Sequence, residues 1–252
     1  MIRSSILRFT AALVPMAAVA SLAGAQSPVM PPAATLVAKY ASAVGGPAFL
    51  AAKSIVTKGG MSMPAAGINA TFELKQVANQ MSMVTEIPGM GKIEAGFDGT
   101  TAWSMDPMQG ARVLSGAELD QVKDEADRRG AVRSPELFTS IETVADTTMN
   151  SERCFLVKLV WKSGREMWDC YSASSGLLVA SRSTQKNAMG EIPVLTLFSE
   201  YKKFGDVMVA TKMTQEAMGQ QQILTVSSVE FGDGKEVVAP PAAVQALIKP
   251  AK

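Results

Sequence analysis

Hydrophobic and polar residues alternate with a period of two over much of the chain. Between Gly67 and Val77, apolar side chains occupy positions 68, 70, 72 and 74, and polar ones occupy the positions between them. Successive side chains of a β-strand point to opposite faces, so this pattern predicts a strand with one buried and one solvated face. Asp98-Gly99, between two further strand-like segments, predicts a tight hairpin.

Two segments have helical spacing instead. Apolar residues from Leu36 to Val44 recur on one helix face, and a Gly-Gly pair ends that helix. Ser115 and Glu118 have the spacing of a capping box at the start of a charged helix that ends near residue 129. A second short helix is predicted at 135–141. These helices, inserted between strands, are expected to lie across a sheet.

Strands are predicted again from about residue 142 to 231, with turn signals every ten to fifteen residues. The whole chain then has ten or eleven antiparallel strands in a single domain over 35–252. A sheet of this size must curl. Its hollow side is filled either by helices that cover it or by a ligand. A fully packed sandwich core without a cavity is the alternative.

The N-terminal segment has the three parts of a secretory signal peptide. Arg3 and Arg8 precede an uncharged apolar stretch, and small residues at 23 and 25 come before Gln26. We predict a signal peptide over 1–25 with cleavage between Ala25 and Gln26, and a flexible linker over 26–34. A retained membrane anchor is the alternative, but the stretch is shorter than a spanning helix requires. The mature chain is expected to be exported, soluble and periplasmic.

Composition narrows the possible chemistry. The chain contains no His, which excludes Ser-His-Asp and Cys-His catalysis, and only two Cys, too few for a four-Cys metal site. Its 24 basic and 23 acidic residues nearly cancel and form no basic block, so nucleic acid is not an expected partner. We expect no catalytic residue, metal site or cofactor, and therefore no enzyme.

Cys154 and Cys170 flank a predicted turn near residues 162–165. They share parity about that turn, so they can lie opposite each other on adjacent strands. In an oxidising compartment we predict a disulfide between them. Two unpaired buried thiols are the alternative.

Methionine is unusually frequent, with 16 residues. Its flexible thioether suits a cavity that accepts chains of variable shape, although it also replaces Leu in ordinary cores. Met-Gly pairs recur at 90–91, 189–190 and 218–219 and are interpreted as repeated turns. The residues predicted to line an apolar ligand cavity are Met61, Met63, Phe72, Leu74, Met81, Met83, Trp103 and Met105.

Several stretches resemble envelope proteins of the lipoprotein-sorting superfamily, the LolA-like proteins. They are SIVTKGGMSMPAAGINATFELK at 54–75, the segment 86–119 with FDGTTAWSMDP, and the hairpin sequences CFLVKL and SSGLLVASRSTQ. The resemblance implies an open antiparallel half-barrel whose helices cover its concave face. The sorting carriers have a single cavity arginine, and Arg112 lies near the corresponding region without a motif that fixes it.

The resemblance also implies a function. It predicts a periplasmic carrier that binds acyl chains of lipids or lipoproteins in a hydrophobic cavity, with no covalent chemistry. The alternative is an envelope sensor or assembly factor that uses the same fold to bind another envelope protein. No integral membrane segment is expected in the mature chain.

Overall fold

A computed structural model describes residues 30–187 and 190–248. Five helices lie in this part of the chain: α1 (Ala33–Ala43), α2 (Gly46–Ala51), α3 (Gly116–Ala126), α4 (Arg128–Ala131) and α5 (Ala242–Gln245). The strands are β1 (Ser54–Met63), β2 (Ile68–Val77), β3 (Gln80–Ile87), β4 (Gly91–Phe97), β5 (Ala102–Asp106), β6 (Gly110–Val113), β7 (Phe138–Met149), β8 (Glu152–Trp161), β9 (Glu166–Ser172), β10 (Leu178–Asn187), β11 (Gly190–Phe204), β12 (Val207–Ala217) and β13 (Gln220–Gly232).

All thirteen strands form one antiparallel sheet. Its order is β6-β5-β4-β3-β2-β1-β13-β12-β11-β10-β9-β8-β7, so that the first and last strands of the chain, β1 and β13, pair in the middle. In the described part of the chain, β6 and β7 each have one strand neighbour, and the sheet is open. The predicted count of ten or eleven strands is wrong by at least two.

The helices α1 to α4 lie on one face of the sheet, here called the inner face. The strand register carries this face from Thr57 through Leu74 and Met83 to Ser104 and Arg112. Residues paired across an antiparallel ladder lie side by side on the same face, which makes this sequence of pairs a single row.

Hydrogen bonds from α3 show that the sheet curls around the inner face. Arg112 on β6 donates to Glu118 (Nη2–Oε2 2.9 Å), and the Lys186 N–H on β10 donates to Gln121 (N–Oε1 2.8 Å). Nine strand spacings separate β6 from β10, roughly 43 Å in a flat sheet. Glu118 and Gln121 are less than one helical turn apart, so only a strongly curved sheet brings both strands to them.

Buried side chains on the inner face pack in three groups. α1 packs Leu36, Val37 and Tyr40 against the strands β7 to β10, together with Trp161 and Tyr171. A second group lies under α3 and contains Phe97, Ala102, Leu114 and Ala126. The third lies on the central strands and contains Met61, Ala70, Phe72, Ile87, Leu224 and Val226.

The connection between β6 and β7 differs from its prediction. Ser115 stands at the N-cap of α3, but its side chain makes no cap hydrogen bond, and the Glu118 side chain pairs with Arg112 and does not complete a capping box. The predicted helix at 135–141 is a single 3-10 turn at Pro135–Leu137, followed at once by β7. The helices therefore cover less of the sheet than expected.

The disulfide between Cys154 and Cys170 is present, with both residues fully buried and Cα atoms 5.5 Å apart. The predicted signal peptide over 1–25 and its cleavage point at Ala25-Gln26 lie outside the described residues. Of the predicted linker, residues 33 and 34 begin α1. No helix in the described ranges is both long and apolar enough to cross a membrane.

Candidate functional site

A cavity of about 360 Å³ lies between the inner face of the sheet and the helices α1, α2 and α4. Its helical side is formed by Tyr40, Val44, Phe49, Ala131, Val132 and Arg133. Its sheet side is formed by Thr57, Leu74, Leu178, Phe198, Tyr201, Val207, Met208, Val209, Ala210, Met213 and Val226. Most of the lining is apolar, and about half of it is only partly buried, so a ligand in this space would replace water against hydrocarbon surface.

Two tyrosine hydroxyls face the cavity, and each is already engaged as a donor. Tyr40 Oη donates to the Ala131 carbonyl at 3.2 Å, and Tyr201 Oη donates to the Leu178 carbonyl at 2.8 Å. Burial raises the pKa of both Tyr40 and Tyr201. Neither hydroxyl is therefore available as a phenolate near neutral pH, and both serve to hold the wall of the cavity.

A buried ion pair forms the polar end of the cavity. Arg133 Nε donates to Asp169 Oδ2 at 2.6 Å, and Tyr171 Oη donates to the same oxygen at 3.0 Å. The side chain of Arg133 is 12% exposed and that of Asp169 is fully buried. A pair removed from water to this extent needs further hydrogen bonds, which Tyr171 and the Gly130 carbonyl (Nη1–O 2.6 Å) supply.

The charge of Arg133 is secured by these neighbours. Burial is the largest single influence and would lower its pKa, but the Asp169 carboxylate, together with Tyr171 and Tyr40, more than compensates and raises the pKa of Arg133. The backbone of Arg133 has φ of +55°, an uncommon conformation for a residue with a side chain. Such strained positions persist where the surrounding contacts fix them, as the Asp169 pair does here.

The predicted cavity residues do not all meet. Leu74 lines the cavity. Met61, Phe72 and Met83 lie beside it in the central inner-face group, with Met83 partly buried, and Met63 follows Met61 on β1 by two positions, which places it on the same face. Met81 packs under α3 with Phe97.

Trp103 and Met105 lie on the other face of the sheet. Ser104, between them on β5, lies on the inner face in the same row as Leu74, so Trp103 and Met105 point to the opposite face. There they pack with Val238 and Val244 of the C-terminal segment. Trp103 is 1% exposed in that group. The alternation in the sequence showed which residues of a strand share a face, but it could not show which of the two faces points inward.

Arg112 does not reach the cavity. Together with Ser104, Asp106 and Glu118 it lines a separate polar pocket of about 310 Å³ between α3, β5 and β6. The arginine that does line the cavity, Arg133, lies in the connection between α4 and β7 and was not singled out from the sequence. Its partner Asp169 is 36 residues away, a separation that no local pattern reveals.

Within residues 30–187 and 190–248, no group of three or more His, Cys, Asp or Glu side chains is placed to hold a metal ion.

Comparison with solved structures identifies the architecture. A LolA superfamily protein from Nitrosomonas europaea superposes with a TM-score of 0.55 at 12% identity, over 81% of this chain and 95% of that one. The protein has a LolA-like fold. A DUF1329 family protein from Desulfovibrio piger superposes on this LolA-like chain with a TM-score of 0.53 at 12% identity, over 80% of this chain and 95% of that one. At such identities the likeness concerns the fold alone. No family model matches the sequence, and no curated protein matches it either.

Proposed function

We propose that the protein is an exported carrier in the bacterial envelope that holds an acyl chain of a lipid or lipoprotein, with no covalent chemistry. The observation that carries this proposal is the apolar cavity of about 360 Å³ between the helices and the curled sheet. The open half-barrel with a LolA-like fold and the predicted signal peptide over 1–25 support it. In this proposal the mature chain works in the periplasm.

The energy of such binding comes from the lining. Each methylene group moved from water into an apolar site is worth ~0.8 kcal/mol. About eight methylenes would contribute roughly 6 kcal/mol, from which the cost of ordering the chain is subtracted. Phe49, Leu74, Phe198 and Met213 offer the contact surface, and the methionine adapts to chains of different shape.

Arg133 gives the cavity an end that suits a head group. A guanidinium has five N–H donors, and the bonds of Arg133 to Asp169 and to the Gly130 carbonyl use three of them. The remaining two can donate to an ester or carboxylate oxygen. Because Asp169 balances the positive charge, we expect neutral ester oxygens to be accepted as readily as carboxylates.

Cavity filling tests the proposal. Thr57 lies on the cavity floor, and Thr71 on β2 is an exposed residue of the outer face. We expect Thr57→Phe to weaken the binding of a fluorescent long-chain fatty acid at least roughly tenfold, and the control Thr71→Phe to leave it unchanged. Fluorescence titration measures both affinities.

Native mass spectrometry of protein purified without detergent provides a second readout. Co-purified lipid is the expected result. Protein that carries no lipid and binds no fatty acid in the titration would contradict the proposal. A stable protein partner in place of lipid would favour the sensor or assembly factor instead.

A further inference from the structure

Three hairpin turns at one end of the strands carry exposed methionines. The β3–β4, β5–β6 and β12–β13 turns place Met90, Met108 and Met218 in solvent, with exposed fractions of 52%, 89% and 70%. The antiparallel register brings these turns to the same end of the strands as the β1–β2 connection at 64–67. These four connections, 64–67, 88–91, 107–110 and 217–220, are called the methionine rim.

The rim contains no charged residue. Its apolar character is continuous at one point at least, because a Cβ atom placed on Gly91 would lie 3.2 Å from Cγ of Pro107, so the β3–β4 and β5–β6 ends touch. The turns at the opposite end of the sheet are polar: they include Ala78-Asn79, Asn150-Ser151 and Gly205-Asp206. The two ends of the sheet therefore differ in chemistry.

Turn geometry does not require these methionines. Met218 has φ of +52° and Gly219 φ of +72°, the left-handed conformations of a two-residue hairpin that favours Asn-Gly. The β7–β8 turn meets the same demand with Asn150 and Ser151, at φ of +49° and +61°. A methionine in the strained position, exposed to water, contradicts the local preference, and such conflicts mark functional positions.

We propose that the methionine rim inserts into the surface of a lipid bilayer and so docks the carrier where its cargo is found. This inference rests on the proposed function, since a carrier that takes up or releases acyl chains directly at a membrane must touch its surface. Successive turn ends on the rim are about 10 Å apart, two strand spacings. Apart from the β3–β4 and β5–β6 ends, which touch, the rim consists of separate uncharged turns with flexible thioether side chains. Such turns suit the disordered interface of a bilayer, whereas a protein partner needs a continuous, complementary patch.

Beyond β12, the next described turn at this end of the strands is charged. At the same end of the strands, the β8–β9 turn carries Lys162 and Arg165, and Asp124 of α3 covers it through Ser163 (Oγ–Oδ2 2.7 Å) and Arg165 (Nε–Oδ2 3.3 Å). Among the connections that the structure describes, the docking surface thus belongs to the eight strands from β6 through β1 to β12. The residues that directly flank the rim are Lys92, Asp106 and Glu216, of which Asp106 accepts from the N–H groups of Met108 and Gln109. Because the rim itself has no charge and its neighbours add no net positive charge, its attraction to membranes should be apolar and nearly independent of salt.

Vesicle flotation tests the inference with protein purified from the periplasm, its processed N terminus checked by intact mass. The probes are vesicles of phosphatidylcholine and of phosphatidylglycerol. We expect the triple variant Met90→Gln, Met108→Gln, Met218→Gln to lower partitioning into both at least roughly tenfold. The control Val237→Gln, Leu247→Gln removes apolar side chains that are 77% and 51% exposed elsewhere, and should bind as the parent does.

Three results would overturn the inference: no partitioning of the parent, an unchanged triple variant, or an equal loss in the control. Urea unfolding midpoints equal to that of the parent show that the variants fold. Fatty-acid titration without vesicles separates the two proposals, because the triple variant should keep the affinity of the parent. The parent could bind vesicles through the rim and yet have no affinity for fatty acid. That result would refute the proposed carrier function and support the proposal that the rim binds membranes.

Discussion

The ion pair at the polar end of the cavity gives the sharpest prediction about stability. Asp169→Asn keeps the shape of the side chain and its contact with Tyr171, but removes the negative charge that faces Arg133. The guanidinium is then left with 12% exposure and no counter-charge. Its remaining strong bond is to the Gly130 carbonyl, which is a dipole and not a charge.

Removing one partner of a buried pair costs about 3–5 kcal/mol, because the remaining charge stays desolvated. We expect about 3 kcal/mol for Asp169→Asn, at the lower end, since Arg133 keeps some access to water. Arg133→Met should cost a similar amount by leaving Asp169 without its cation. The double variant has no buried charge and should be more stable than the sum of both losses predicts, by about 2 kcal/mol.

Urea unfolding of the parent, both single variants and the double variant at neutral pH measures the coupling energy directly. Hydrogen exchange of residues 127–137 adds a local readout, because Arg133 ties this connection to β9. Faster exchange confined to that segment in Asp169→Asn is expected. Additive single losses, or a loss below roughly 1 kcal/mol for Asp169→Asn, would refute the assignment of the pair as an energetic anchor.

Three further predictions concern the frame around the site. Replacing Cys154 and Cys170 by Ala opens a loop of 16 residues and should lower the unfolding free energy by about 3 kcal/mol, measured in urea. Gly130→Ala places a Cβ 2.7 Å from the Trp161 ring and should cost roughly 1–3 kcal/mol in the same assay. Burial alone would raise the pKa of Asp127, but hydrogen bonds from the side chain and N–H of Arg129 lower it. The carboxylate therefore stabilises the fold above pH 3.8, and this effect is lost as the pH falls through the lower pKa of the folded state. In acid unfolding, the stability difference between the parent and Asp127→Asn should shrink below pH 3.8.

Alternation predicts strands well where a strand is long and regular. The pattern over 67–77 corresponds to β2 (Ile68–Val77). Asp98-Gly99 does begin the turn between β4 and β5, where Asp98 Oδ1 accepts from the N–H groups of Thr100 and Thr101, but the connection has the four residues 98–101 and not the two that the sequence predicted. Both features depend on local physics: a side-chain period of two, and a carboxylate that bonds its own backbone.

The sequence did not predict β6 or the first residues of β7, and both failures have physical reasons. β6 has only four residues, too few for a period to be visible. β7 contains register shifts after Phe138 and after Thr143, and each shift breaks the alternation that would identify a strand. Its first residues were therefore assigned to a helix. From residue 142 onward, β7 was predicted as a strand. β6 and β7 are the edges of the sheet, where short strands and bulges discourage pairing with another chain.

The cavity required information that the sequence does not hold locally. Its walls come from α1, α2, α4 and six strands, and their meeting depends on how far the sheet curls. Trp103 looked like a cavity residue because large apolar side chains suit a ligand. It lies instead on the outer face, since the C-terminal segment with Val238 and Val244 buries that side as well. A strand buried on both faces gives no sign of which face is inward.

One connection joins the two edges of the open sheet and also forms part of the cavity wall. The β6–β7 connection must travel from one edge of the sheet to the other, and it crosses the inner face as α3 and α4. It is fastened at polar points along its whole length: Arg112 with Glu118 at its start, Gln121 with Lys186 and Asp124 with Arg165 on α3, Arg128 with the Ala52 carbonyl and the Ala131 carbonyl with Tyr40 on α4, and Arg133 at its end. Because Arg133 is both a fastening and part of the cavity wall, an oxygen that accepts from its two remaining donors would bind at the place where the connection is held to the sheet. In the proposed carrier, the head group binds at the side chain that also holds the connection to the sheet, so weakening the Asp169 pair should alter ligand release rates more than it alters the apolar contacts of the acyl chain.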